Sequence, residues 1–262
     1  MCRKIEIYLL RLILIFFLMS GGCGTDSDKT NNQDNVIVFS AASTTDAITE
    51  ISKLFTKETG ITVTTNFASA SALAQQIEFG ADSDVFISAN QKWADELEKK
   101  QLVNKRETIV GNRIVIIVSV NSMLAGDSPE ILLQPEVKNI SMGETSSVPV
   151  GIYGKKALVK LGLWEKVKDK VVSAKDVRSA LAYVETNAAE AGIVYSTDAA
   201  ISNKVKVVYK FPDDALTKPI LYPAMTLKNA ANPKNADLFF DFLKGSKSKS
   251  VFEKYGFKII LK

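Results

Sequence analysis

Short runs of small polar residues follow two stretches that have the composition of β-strands. Residues 40–45 (SAASTT) come after the apolar run 36–39, and residues 68–71 (ASAS) come after the alternating stretch 61–67. A helical pattern follows in both places, so backbone N–H groups and hydroxyls should lie together at the start of a helix. Such groups donate hydrogen bonds to anions. These residues therefore indicate an anion site, although many strand–turn–helix units bind nothing.

The first of these helices carries an N-terminal signal of its own. Apolar residues from Ala47 to Phe55 fall on one face, and Ser43 with Asp46 has the spacing of a capping box. An acidic residue in the first turn also favours the positive end of the helix dipole. The sequence predicts that the Ser43 side chain caps this helix.

The second half of the chain repeats the arrangement of helix starts and strand ends. The polar loop 143–151 leads into a helix, and its proline suits the helix entry, which leaves the N–H of Val150 free to point elsewhere. Asp176 is a cap candidate for the helix that starts at Val177. Tyr195 ends the short buried strand GIVY and places a phenol at its carboxyl end.

Composition excludes several kinds of chemistry. The chain has 262 residues, a net charge of +4 and no histidine. Catalysis by histidine and metal binding by histidine are therefore excluded. The leader (1–22) contains Arg3, Lys4 and Arg11 against Glu6, so it contributes +2 of the net charge of +4. No basic block stands out elsewhere in the chain. Nucleic acid is accordingly not expected as a partner.

The N-terminus has the features of an export signal. Residues 1–22 combine a basic start with an apolar run that is too short for a stable membrane span, which predicts a signal peptide. Cys23 follows, within a polar stretch (23–35) that is typical of a tether. The arrangement resembles a bacterial lipoprotein signal with an acylated Cys23, although Ser20 stands where such signals usually have leucine. A plain secretory signal with an incidental cysteine is the alternative; in either case, removal of Cys2 leaves no mature disulfide.

The order of elements predicts the fold class. Strands alternate with helices along the whole chain, which indicates a parallel-rich α/β architecture. Two long extended segments, 113–120 and 218–227, predict a chain that leaves one lobe and later returns to it.

Five separated segments then match a known family in order and spacing. Together they resemble the molybdate-binding protein of bacterial ABC importers, and the resemblance spans essentially all of 36–260. The segments are VFSAASTTDAI (38–48), FASASALAQQIEFGADSDVFISANQKW (67–93), VPVGIYGKKALVKLGLW (148–164), DVRSALAYVETNAAEAGIVYSTDA (176–199) and YGFKI (255–259).

This resemblance implies an architecture and a biological setting. It implies the type II periplasmic-binding-protein fold, which has two α/β lobes joined by two crossing strands and a ligand in the cleft between them. Lobe I would comprise residues 36–113 plus 220–262, and lobe II residues 114–219. The implied partners are an ABC permease and its ATPase. We expect an extracytoplasmic monomer, lipid-anchored in the periplasm or at the cell surface, with no cofactor.

The resemblance also implies which residues bind the oxyanion. The family's five positions fall on Ser43, Ala70, Val150, Val177 and Tyr195. The valines would act through backbone N–H groups, whereas Ser43 and Tyr195 would add hydroxyls. Ala70 departs from the family, which usually has a hydroxyl there. The neighbouring side chains that could supply the missing donor are those of Ser69 and Ser71.

Donor chemistry explains how such a cleft would select its ligand. Molybdate is a dianion whose oxygens only accept hydrogen bonds at neutral pH, whereas phosphate carries a proton that needs an acceptor. The molybdenum of the bound oxyanion would be the only metal. Tungstate or sulfate is the alternative ligand. An enzyme on this fold is disfavoured by the absence of histidine and of a mature thiol, and a surface lipoprotein with a vestigial cleft is the third hypothesis.

Overall fold

Two β-sheets organise the part of the chain that can be described. The structure is a computed structural model that describes residues 35–260, all within one compact unit. The predicted signal peptide and the predicted lipid attachment at Cys23 lie outside the described residues. No helix within residues 35–260 has the length and apolar character needed to cross a bilayer.

The first sheet has six strands and is mixed. Strand β1 pairs in parallel with β2 and β3, while β10 pairs antiparallel with β3 and β4, and β11 with β4. The spatial order is β11-β4-β10-β3-β1-β2. The strands are β1 (Asn35–Ala41), β2 (Thr62–Ala68), β3 (Val85–Ile87), β4 (Val103–Asn112), β10 (Ile220–Leu227) and β11 (Lys258–Ile259).

The second sheet has five strands in the order β7-β6-β8-β5-β9. Its β6 pairs in parallel with β7 and β8, whereas β5 pairs antiparallel with β8 and β9. The strands are β5 (Ile114–Ser119), β6 (Ile140–Gly143), β7 (Val171–Ala174), β8 (Ala191–Tyr195) and β9 (Val205–Lys210).

Helices connect the strands and cover the sheets with their apolar faces. They are α1 (Thr45–Thr59), α2 (Ala70–Glu78), α3 (Gln91–Lys99), α4 (Pro149–Lys160), α5 (Trp164–Val167), α6 (Val177–Glu185), α7 (Ser196–Ala200), α8 (Pro233–Lys244) and α9 (Ser246–Lys254). Short 3-10 turns lie at Ala42–Thr44, Pro129–Leu133, Lys168–Lys170 and Asp213–Ala215.

Helix α1 illustrates how the sequence produces these elements. Its predicted apolar face is buried, with Ile48 and Ile51 inaccessible to solvent and Phe55 packed edge-on against Phe239 of α8. Gly60 ends the helix in the left-handed conformation that glycine adopts without strain. The chain then turns directly into β2, which lies parallel to β1 as a strand–helix–strand unit requires.

Two helices begin earlier than their apolar patterns predict. The patterns place the starts at Leu73 and Ile152, but α2 begins at Ala70 and α4 at Pro149. The side chain of Ser69 accepts the N–H of Ala72 and extends the first helix backwards, and a proline is compatible with the first turn of the second. As a result, the small polar turns themselves form the helix starts.

The chain passes between the sheets twice, as the sequence predicts. Strand β4 ends at Asn112 and β5 begins at Ile114, so the first passage is a single residue, Arg113. The return passage lies between β9 and β10, across residues 211–219. The predicted fold class, two α/β lobes that the chain joins by crossing twice, is confirmed. The segments predicted to cross, 113–120 and 218–227, mostly form β5 and β10 within the sheets. The predicted lobe bounds stay a prediction.

Candidate functional site

A small cavity lies between the two sheets and gathers the predicted residues. Its lining includes Ser69, the acidic residue Asp176 and all five positions predicted to bind the anion, which are Ser43, Ala70, Val150, Val177 and Tyr195. The remaining lining residues are small or apolar. The cavity measures about 10 Å³, which is room for about one water molecule. A tetrahedral oxyanion has five heavy atoms, so the two sides of the cavity must move apart to admit one.

Three long helices start at this cavity. Ala70 and Val177 are the first residues of α2 and α6, and Val150 is the second residue of α4. In a first turn, the backbone N–H groups have no acceptor within their own helix. In two of these helices a side-chain cap accepts the backbone N–H of the third helical residue. Ser69 accepts from Ala72 in α2, and Asp176 accepts from Ser179 at 2.8 Å in α6. The earlier N–H groups therefore remain available to a ligand.

Ser43 lies at the same cavity but does not cap its helix, so the sequence prediction is wrong on this point. It belongs to a 3-10 turn, and the cap position of α1 falls on Thr44, where no side-chain cap bond forms. The Ser43 hydroxyl instead lies 2.9 Å from the hydroxyl of Tyr222. The partner predicted for the capping box, Asp46, is bonded to Arg178. Both side chains are therefore committed to tertiary contacts.

The Tyr195 hydroxyl is buried without a partner. The residue is 1% exposed, and no group among residues 35–260 hydrogen-bonds its hydroxyl oxygen. The adjacent Tyr222 packs against it edge-on, with ring centroids 5.9 Å apart, but bonds elsewhere. Burial raises the pKa of Tyr195 well above its usual value, so the phenol keeps its proton at neutral pH. A buried donor without an acceptor costs stability, and a ligand oxygen would satisfy it.

The structure separates the two serines that could replace the missing hydroxyl at Ala70. Ser69 lines the cavity, whereas Ser71 does not. Their hydroxyls lie 3.0 Å apart, so either one can donate to the other. Ala70 is itself fully buried in the wall of the cavity. The geometry therefore favours Ser69 over Ser71 as the additional donor, and its role stays a prediction.

Two contacts hold the loop that precedes Val150 in place. The carboxylate of Glu144 accepts the backbone N–H groups of Ser146 and Ser147 at 2.9 and 2.8 Å, and their hydroxyls at 2.8 and 2.7 Å. Burial by itself would raise the pKa of Glu144, but these hydrogen bonds outweigh it and lower the pKa to about 2. From helix α3, which belongs to the half of the fold that contains the first sheet, the indole of Trp93 donates to the Ser147 carbonyl at 3.0 Å.

Arg178 is a residue that the sequence reasoning missed. It follows Val177 directly and bonds Asp198 at 2.5 Å within its own half of the fold and Asp46 at 2.7 Å on α1. Its guanidinium also lies 3.5 Å from the carbonyl oxygen of Ser43. The two carboxylates outweigh desolvation and raise the pKa of Arg178. Burial raises the pKa of Asp198 to about 6, and Arg178 opposes this increase.

Tyr222 and Asn112 are two further residues that sequence reasoning missed. Tyr222 lies on β10 and is completely buried, and Asn112 ends β4 at the first passage between the sheets. The Asn112 amide donates to the Tyr222 oxygen at 3.2 Å. No local sequence pattern signals either residue, because Tyr222 lies 179 positions from its partner Ser43 and 110 positions from its partner Asn112.

Comparisons with known proteins identify the family. The model of the bacterial extracellular solute-binding protein family matches residues 36–258. The chain belongs to this family. It is 41% identical to the molybdate-binding protein ModA of Escherichia coli over 251 residues, covering 93% of this chain and 94% of that protein. The resemblance predicted from the sequence is thereby confirmed.

Two further relatives extend the comparison. A Bacillus subtilis protein named as a substrate-binding lipoprotein of an ABC transporter, YvgL, is 40% identical over 264 residues, covering 98% of this chain and 99% of the relative. The solved structure of the periplasmic molybdate-binding protein of Azotobacter vinelandii superposes with a TM-score of 0.78 at 24% identity, covering 86% of this chain and 99% of that one. This solved structure supports the type II periplasmic-binding-protein fold.

Proposed function

We propose that this solute-binding protein captures molybdate between its two sheets and delivers it to an ABC permease. The observation that carries the proposal is the Tyr195 hydroxyl, buried without a partner at a cavity where three helices begin. Relatives at 40–41% identity that are named for molybdate binding and for ABC transport support the same role. In this role the chain binds and releases its ligand and catalyses no reaction.

The donors suit a fully deprotonated oxyanion. Backbone N–H groups of Ala70, Val150 and Val177 and the hydroxyls of Ser43 and Tyr195 would each meet an oxygen that only accepts. The N-terminal ends of the helix dipoles add a favourable potential. Phosphate at neutral pH brings a proton, and leaving that proton unpaired in the site would cost about 1–3 kcal/mol.

Capture requires a change in the separation of the two sheets. The closed cavity holds about one water molecule, while the donors come from both sides of it. Ligand contacts from both sides favour a closed form over an open one. The closed, loaded form would then dock on the permease and its associated ATPase.

The proposal includes a location. Membership in the extracellular solute-binding family places the protein outside the cytoplasm, and we propose that a lipid on Cys23 tethers it to the membrane, as the N-terminal sequence and the lipoprotein relative suggest. Changing Cys23→Ser and fractionating the cells tests this anchor. Release of the protein from the membrane fraction is expected, and unchanged membrane association would contradict the anchor.

Calorimetric titration of the purified protein with molybdate, tungstate, sulfate and phosphate tests the ligand. We expect molybdate and tungstate to bind, sulfate to bind weakly because its bonds are shorter, and phosphate not to bind. Tyr195→Phe should weaken molybdate binding by about 10- to 100-fold through loss of one charge-assisted bond. Tyr209→Phe, on the distant β9, is the control that should change nothing. Failure of both molybdate and tungstate to bind would overturn the proposal.

A further inference from the structure

A series of hydrogen bonds runs from the passage between the sheets to the cavity. The Asn112 amide, which is partly buried, lies 3.2 Å from the Tyr222 oxygen, and that oxygen lies 2.9 Å from the Ser43 hydroxyl. Tyr222 is fully buried and Ser43 is 3% exposed, so bulk water cannot replace the bond between these two hydroxyls. Of these three residues, Ser43 is the one that lines the cavity.

The contacts of Asn112 fix which end of its amide donates. The backbone N–H of Arg113, which can only donate, lies 2.8 Å from one amide atom of Asn112. That atom must therefore be the amide oxygen, which also accepts from Ser196 at 3.2 Å. The other amide atom is the nitrogen, and it donates to Thr197 at 3.0 Å and to Tyr222.

The direction of the remaining bonds follows from this assignment. Because the Asn112 nitrogen only donates, the Tyr222 oxygen accepts from it. Of the two groups bonded to the Tyr222 hydroxyl, Ser43 is then the one that can accept its single proton. Burial raises the pKa of Tyr222, so this proton is retained at neutral pH. The Ser43 oxygen therefore accepts from Tyr222, and the proton of Ser43 is turned away from Tyr222.

We propose that Tyr222 is a positioning residue that sets the specificity of the site by holding Ser43 as a hydrogen-bond donor toward the bound oxyanion. The inference rests on the proposed function. With Tyr222 in place, an oxygen of the ligand that faces Ser43 meets a proton, which suits molybdate. A protonated oxygen of phosphate that faces Ser43 would meet the same proton and find no acceptor in that hydroxyl. Without the Tyr222 hydroxyl, Ser43 is free to turn and accept a proton from phosphate.

A double-mutant cycle separates this role from a structural one. Tyr222→Phe keeps the ring contacts with Tyr195 and Phe257 and removes only the hydroxyl. We expect Tyr222→Phe to weaken molybdate binding about tenfold and Ser43→Ala by at least as much. The double variant should bind like Ser43→Ala alone, because Tyr222 acts through Ser43. Additive losses would overturn the inference.

Titration with phosphate gives the ratio of molybdate affinity to phosphate affinity, which a general loss of stability would not change. The ratio of molybdate affinity to phosphate affinity should fall about tenfold or more in Tyr222→Phe. The matched control is Tyr195→Phe, which removes a donor without freeing an acceptor and should still exclude phosphate. Phosphate exclusion by folded Tyr222→Phe, with its melting transition retained, would overturn the inference.

The same titrations distinguish failure of the inference from failure of the proposed function. If the unchanged protein binds molybdate while the cycle is additive, the role of Tyr222 is wrong and the proposed function stands. If the unchanged protein binds neither molybdate nor tungstate, both are overturned.

Discussion

Arg178 and Asp46 form an ion pair of 2.7 Å that joins the two halves of the fold beside the cavity. Arg178 lies in the first turn of α6 over the second sheet, and Asp46 lies in the first turn of α1 over the first sheet. The pair therefore exists only when the sheets are close together. It adds to the stability of the closed form on the side where the ligand donors converge.

Asp46→Asn should shift the protein toward an open form. The pair is partly exposed, so its loss is worth about 1 kcal/mol, and ligand dissociation should become up to about tenfold faster. Stopped-flow dissociation and small-angle scattering measure the rate and the radius of gyration. The control is Glu50→Gln, one turn further along the same helix, which loses contacts only to Lys254 of α9 and to Tyr255, the residue that follows α9. Identical behaviour of the two variants would contradict a closing role for Asp46.

Gly151→Ala should displace the start of α4 and with it the Val150 N–H. A Cβ at this position would lie 2.0 Å from the carbonyl oxygen of Gly143 and 2.5 Å from that of Glu144, and both are backbone atoms. We expect loss of about 1–3 kcal/mol of stability and a clear loss of oxyanion affinity, measured by denaturation and titration.

Gly154→Ala in the same helix is the control for this change. There the nearest atom, at 2.5 Å, is the terminal methyl of Met142, which can move aside. The variant should retain binding. Equal loss of affinity in the two variants would show that the close approach at Gly151 has no special role.

Glu144 should make the loop before Val150 sensitive to acid. Its pKa is lowered to about 2 in the folded protein, from 4.5. The folded state therefore holds the ionised form more tightly, and the stabilisation is complete above pH 4.5 and is lost as the pH falls toward 2. Because Glu144 is partly exposed, solvent screening reduces its contribution at neutral pH to about 1–2 kcal/mol.

Chemical denaturation of Glu144→Gln and of the unchanged protein tests this. The difference in unfolding free energy should be largest near neutral pH and fall by more than half on going to about pH 3. Glu165→Gln, whose partner Lys168 is also on the surface, is the control and should show no such trend. A difference that is constant with pH would contradict the assignment.

Ala70→Ser tests whether this chain compensates for the hydroxyl that the family resemblance implies at this position. Ala70 is 1% exposed, so the added oxygen would crowd the wall, and we expect binding to stay equal or weaken. Ser69→Ala should weaken molybdate binding, while Ser71→Ala, outside the lining, should have a smaller effect. Isothermal titration of the three variants decides. If Ala70→Ser binds molybdate more tightly while Ser69→Ala and Ser71→Ala leave the affinity unchanged, no neighbouring serine replaces the missing hydroxyl.

The sequence by itself determined the features that depend on neighbouring residues. Apolar periodicity, small polar turns and Gly60 are local signals, and they led to the α/β fold and to an anion site at helix starts. The individual binding residues were implied by the family resemblance. Strand β4 is the exception, since its mixed sequence VNKRETIVGN has no clean alternation. Its strand conformation comes from pairing with β10 and β11, which follow it by more than a hundred residues.

Only the tertiary structure decided what the polar side chains bind. Ser43 and Asp46 have the local spacing of a capping box, yet Ser43 bonds Tyr222 and Asp46 bonds Arg178, which are 179 and 132 positions away. A local cap competes with a buried bond between hydroxyls and with a charge-assisted ion pair, both of which exist only after the sheets assemble, and here the tertiary contacts prevail. Periodicity carries no information about such distant pairs, so Tyr222 and Arg178 became visible only in the folded chain.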